Sequence, residues 1–156
     1  MELSMELEKQ VGRPRKYDAE YFPHFCNHNR ILEIIVAKFG NDGYSFYYRL
    51  REILGKTPKH GYDANSKMKY DYLLTKTGVD SELADSIIAL LCEFGEIDAN
   101  LWKIQKLIWW QNFVDSLKEL YKKRKNQLPT KNDFELSVLI EKENQGTEIH
   151  KVKESI

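Results

Sequence analysis

The sequence predicts a mainly α-helical domain that carries one small β-hairpin. Three observations predict it. Apolar residues recur at three- and four-residue spacing in several stretches, each bounded by a glycine or a short polar side chain. Two of these stretches are separated only by the turn Thr77-Gly78-Val79. After Phe94-Gly95, apolar and polar residues partly alternate, as a half-buried hairpin requires.

Size and charge bound the reading. A chain of 156 residues, 42% hydrophobic and 12% aromatic, supplies one core and one domain with short extensions. Charge is balanced at 24 Lys+Arg against 24 Asp+Glu, so no global field draws in nucleic acid or membrane and any electrostatic partner is met locally. The balance is uneven along the chain. Residues 1–16 carry four bases and three acids, 17–116 eleven and fourteen, 117–131 six and one, and 132–156 three and six. The expected division is a basic flexible arm at 1–16, a folded domain at 17–126 ending in a basic helix, and a charged, weakly folded tail at 127–156. Beyond residue 131 there is one Phe and neither Trp nor Tyr, with at most a short helix expected over 134–143. The longest uncharged apolar stretches, 34–37 and 87–92, fall far short of the roughly 18 residues of a membrane span. Residues 1–10 lack the basic start and apolar run of a signal peptide, and two cysteines suit a reducing compartment. The expectation is a soluble, cytoplasmic protein with no membrane partner.

The elements follow in order. Asn29 caps a helix through Ile31, Ile34 and Ile35 that stops at Gly40, and Asn41 or Asp42 caps a second from about residue 43 to 54. Pro58, Gly61 and Asn65 break the chain, leaving room for a brief extended segment over 62–64. A third helix runs from Lys67 to Thr77 with Met68, Tyr72 and Leu73 inward, and ends at Gly78. Asp80 or Ser81 caps a fourth through Leu83, Ile87, Leu90 and Leu91. Glu96-Ile97-Asp98, a turn at Ala99-Asn100 and the stretch 101–106 make the hairpin. From Trp110 a last helix runs through Phe113, Leu117, Leu120 and Tyr121 into Lys122–Lys125, with Pro129 as its limit.

Two helices joined by a tight turn and followed by a hairpin are the parts of a winged helix-turn-helix, here with flanking helices. In that arrangement the second helix fits the major groove and the wing reaches a neighbouring phosphate strand. Residues 79–93, however, carry Asp80, Glu82, Asp85 and Glu93 and no Lys or Arg, a poor surface for phosphates. Positive charge lies at the edges instead. Arg13, Arg15 and Lys16 sit in Gly12-Arg13-Pro14-Arg15-Lys16, which has the Gly-Arg-Pro core of a minor-groove hook without a base before the glycine. Lys103 and Lys106 lie in the expected wing, and Lys122, Lys123, Arg124 and Lys125 at a helix C-terminus, where the dipole favours cations even without a ligand. These nine residues are the expected DNA contact.

Other constellations are weaker. His24, Cys26 and His28 are two apart, but a structural zinc site needs four ligands and only His60, Cys92 and His150 remain, so no metal is expected. Trp102, Trp109 and Trp110 read as core or interface. With no Gly-rich phosphate loop, no Gly-x-Ser-x-Gly and no Cys–His–carboxylate spacing, neither catalysis nor a cofactor is expected.

The succession Arg13-Pro14-Arg15-Lys16, Tyr21-Phe22-Pro23, Phe39-Gly40, Gly43-Tyr44, Tyr48-Arg49-Leu50, Gly61-Tyr62, Gly78-Val79 and Phe94-Gly95-Glu96-Ile97-Asp98 resembles one family in order and spacing. This is the Lin-type N-terminal domain of unknown function found at the front of DnaD-like phage and prophage replication proteins. The likeness covers residues 12–125. It implies a winged-helix module in replication initiation or replisome organisation, in a setting where related domains oligomerise and bind DNA or other replication proteins. The family's second, helical domain is not matched, because the residues after Lys125 lack its Tyr-x-x-x-Ile-x-x-x-Trp pattern. The resulting expectation is a non-enzymatic, phage-type winged-helix protein acting in DNA replication in a bacterial cytoplasm, through DNA binding and homo-oligomerisation. The alternatives are a module that binds a host or phage protein, and a winged-helix transcription regulator.

Overall fold

The computed structural model describes residues 18–154, with side chains described to residue 146. The basic arm, and with it Arg13, Arg15 and Lys16, lies outside the described residues.

Helix α1 spans Arg30–Lys56 and is broken at Gly40. The Asn29 side chain accepts from the Leu32 N–H at 2.8 Å and starts it, as the sequence predicts. Gly40 adopts φ 63°, ψ −146°, and a Cβ there would meet nothing within 4 Å. Conformation, not space, calls for glycine at that break. Leu32, Ile35, Phe46, Tyr47, Leu50 and Leu54 form the buried face.

A 3₁₀ turn, Pro58–His60, leads into strand β1, Tyr62–Asp63. Helix α2, Lys67–Thr77, is capped by Ser66 and closed by Gly78 at φ 74°, whose N–H donates to the Leu74 carbonyl at 2.8 Å. Asp80 accepts from the Leu83 N–H at 2.8 Å and opens α3, Ser81–Glu93. The helix–turn–helix thus stands where its caps place it. On α2 only Leu73 of the three expected inward residues is buried; Met68 is 82% and Tyr72 54% exposed.

The expected sheet is present, but not as a local hairpin. Residues 101–106 are not a strand. Asp98 accepts from the Leu101 N–H at 3.0 Å and starts a helix, α4, Ala99–Gln105. Leu101 and Trp102 of this helix are both buried. Lys106 closes α4 at φ 55°, and β2, Leu107–Ile108, follows. It pairs antiparallel with β1, Tyr62 opposite Ile108 and Asp63 opposite Leu107. The Asp98 N–H also donates to the Trp109 carbonyl at 2.9 Å, which brings residue 98 back to the far end of β2.

The last helix of the domain is two helices, α5, Gln111–Asp115, and α6, Lys118–Arg124. Between them the Ser116 hydroxyl bonds the Phe113 carbonyl at 2.5 Å, a local bond that competes with helix continuation.

The tail also departs from expectation. Residues 131–154 form α7, Lys131–Glu154, where weak folding with a short helix over 134–143 is expected. Its first turns are docked, with Phe134 and Val138 buried. Phe134 stacks on Trp109 with centroids 5.9 Å apart and lies flat on Gly61, where an added Cβ would stand 2.5 Å from ring atoms. Lys131 pairs with Asp98 at 3.1 Å, and Glu141 with Lys69 at 3.6 Å. No helix among the described residues is long and apolar enough to cross a membrane.

Gly61→Ala should displace Phe134 and loosen α7 from the domain at a cost of about 1–3 kcal/mol, the range for overpacking. Denaturant unfolding together with hydrogen exchange over residues 131–141 checks this; unchanged exchange there would contradict the docking.

Candidate nucleic-acid interface

Cations act on phosphates when they are free of internal carboxylates and close enough to act together. The basic end of α6 meets this test unevenly. The helix is anchored by Leu120 and Tyr121, both buried. Tyr121 Oη lies 2.5 Å from Nε2 of His60, which is fully buried and whose Nδ1 lies 3.0 Å from the Leu54 carbonyl. A carbonyl only accepts, so Nδ1 carries the proton and Nε2 accepts from the Tyr121 hydroxyl. Burial pushes the His60 pKa below its usual value and outweighs the bond to Leu54.

With Tyr121 held inward, the four cations that follow take different roles. Arg124 Nη1 donates to the Asp18 carbonyl, which fastens the start of the described chain to α6. Lys122 Nζ reaches Glu119 at 3.4 Å across one helical turn. Lys123 and Lys125 are exposed, and neither forms an ion pair among the described residues. Lys125 ends the helix at φ 58° and lines a cavity of about 570 Å³ together with Pro58, Lys59, Tyr121, Asn126 and Pro129. No acid lines it. Lys59, exposed and at φ 65°, is therefore a cation of this edge that the sequence does not single out. Its only advance signal is its place beside Pro58 in a chain break.

Lys103 and Lys106 belong to a different surface. They line a cavity of about 580 Å³ with Asp85 and Glu93 of α3, and Lys106 Nζ stands 4.6 Å above the Trp102 ring. They face the acids of α3 instead of adding to the α6 edge. On that same side, Asp85 also accepts from the Tyr70 hydroxyl at 2.5 Å. Burial, reinforced by that carboxylate, raises the Tyr70 pKa.

Of the remaining candidates, Trp102, Trp109 and Trp110 are buried, while His24 and His28 are exposed, His24 stacked on Tyr48 at 3.9 Å and His28 5.5 Å from the Tyr44 ring. No group of three or more His, Cys, Asp or Glu among the described residues is placed to hold a metal ion. No family model matches the chain, and neither does any curated protein or solved structure.

Because His60 is held neutral when folded, the unfolded chain binds more protons below its ordinary pKa of about 6.5, and stability falls as pH drops through that value. The slope from this one group is at most about 1.4 kcal/mol per pH unit. Denaturant unfolding between pH 7.5 and 5.5 should show a steeper loss in the parent protein than in His60→Gln, and equal slopes would assign the loss to other groups.

Proposed function

We propose that the protein is a non-enzymatic, winged-helix-type module that contacts DNA along the edge formed by Lys59, Lys123 and Lys125. In this reading it acts in phage-type replication initiation or replisome organisation, self-associates, and works in the cytoplasm of a bacterial host. The observation that carries the DNA contact is the cavity between Lys59 and Lys125, lined by no acid among the described residues and close in sequence to exposed Lys123. The capped pair α2–α3 and the sheet formed by β1 and β2 support the winged-helix reading, with α4 in the place of a wing. Arg13, Arg15 and Lys16, outside the described residues, are further DNA contacts expected from the sequence. The acids of α3 argue that DNA is met by this edge and not by α3 in the major groove.

The replication role rests on the family resemblance of residues 12–125, and the free thiols Cys26 and Cys92 suit a reducing compartment. Fluorescence anisotropy with random-sequence duplex and single strand across a salt series tests the contact. Lys59→Ala/Lys123→Ala/Lys125→Ala should weaken binding and lower the log–log salt slope by about one for each phosphate no longer neutralised. Lys103→Ala/Lys106→Ala should change it far less. An unchanged triple variant, or no binding at low salt, would overturn the assignment.

A second reading, a protein-interaction module, is favoured by one specific feature. Leu136, Leu139 and Ile140 of α7 are each more than half exposed and stand at helical spacing on one face. Light scattering should then show an oligomer that Leu139→Lys/Ile140→Lys disperses, and a monomer at all concentrations would count against self-association.

A further inference from the structure

A second cavity, about 400 Å³, lies between residues 23–29, the second half of α1 and α5, well supplied with donors. Its floor is Arg51. The guanidinium carbon stands 4.5 Å from the Trp110 ring centroid, 4.7 Å from that of Tyr47 and 5.5 Å from that of Phe113. Nη2 donates to Tyr47 Oη at 2.9 Å, while Nε is enclosed and has no acceptor. Tyr47 Oη also receives Asn29 Nδ2 at 3.4 Å, which fills its acceptor side and leaves its own proton without an acceptor among the described residues. Two donors on residues that line the cavity therefore lack an acceptor.

No Asp or Glu among the described residues lines the cavity. Glu96, the acid attached to its wall, is held by Trp110 Nε1 at 2.7 Å and Asn112 Nδ2 at 3.1 Å and makes no ion pair with Arg51. A cation taken from water without a carboxylate is uncommon unless something else supplies the negative charge. The aromatic faces supply part of it. They leave the Nε–H unsatisfied, and an enclosed donor of this kind calls for an ion or ligand atom.

We infer that this cavity is a binding site for the oxyanion of a small ligand, a carboxylate or a phosphate, held by the Arg51 guanidinium and the Tyr47 hydroxyl. A planar guanidinium supported on aromatic rings is preorganised for such a group, because its orientation is set before the ligand arrives. None of its residues belongs to the Lys59–Lys125 edge. DNA binding and oxyanion binding can therefore fail separately.

The experiment is a ¹H–¹⁵N NMR titration of the full chain, following the Arg51 Nε–Hε resonance, with inorganic phosphate in one arm and acetate in the other. Chloride holds the ionic strength constant. The expected result is a saturable shift with at least one anion, accompanied by a rise in Tm that grows with its concentration. Saturation by phosphate alone assigns a phosphate site, and by acetate alone a carboxylate site. Arg51→Lys keeps a cation over the rings but removes the fork, and should weaken binding at least about tenfold. Tyr47→Phe keeps the ring and removes only the hydroxyl, and should weaken it severalfold. If Arg51→Lys does not fold, Tyr47→Phe decides. Absence of saturation with both anions, or parental affinity in Tyr47→Phe, overturns the site.

Discussion

Two adjacent tryptophans impose the constraint on which the arrangement depends. Trp109 and Trp110 follow β2 directly, and both are almost wholly buried. Consecutive residues in extended backbone face opposite sides, so this pair needs cover on both. Phe134 of α7 stacks on Trp109, and Tyr47 of α1 meets Trp110 edge-on at 4.9 Å. Each indole removes on the order of 200 Å² from water, too much to leave either side open. Each N–H is also satisfied, Trp109 by Gln111 at 3.0 Å and Trp110 by Glu96 at 2.7 Å. The helix that begins past Pro129 is consequently part of the domain, and the guanidinium of Arg51 is drawn onto the aromatic wall.

Polar contacts then fasten the periphery. Asp98 joins three elements: it caps α4, its N–H meets the end of β2, and its carboxylate pairs with Lys131 at the start of α7. Burial pushes its pKa upward, but the Leu101 N–H and Lys131 outweigh that and hold the carboxyl below its ordinary value. At the other margin, Asp18 receives Lys56 at 2.9 Å through its carboxylate and Arg124 through its carbonyl. Lys56, Arg124 and Lys131 therefore close internal contacts. What remains open at the end of α6 is Lys123 and Lys125, joined by Lys59.

Legibility of the candidate sites follows from the same division. A run such as Lys122–Lys125 announces charge density, but the sequence does not distinguish Arg124, turned toward Asp18, from Lys125, turned toward open space. Lys59 joins that edge only because His60 and Tyr121 bring the turn against α6. Arg51 is harder still to see. Read along α1 it is one more base in a helix, and its aromatic surroundings come from Tyr47, Trp110 and Phe113, two of them some sixty residues distant.

By itself the sequence determined what is decided within about four residues. Asn29 and Asp80 each accept from a backbone N–H three residues on, and Gly40 and Gly78 sit at positive φ where the helices break or end. Such capping and turn choices depend on neighbours in the chain, so they are visible there. Tertiary structure decided the rest. It set residues 99–105 as a helix, paired β2 with β1 forty-odd residues earlier, and held α7 through Phe134 on Gly61 and Trp109. These outcomes depend on which apolar surface is left uncovered once the helices pack, and that surface does not exist until they do.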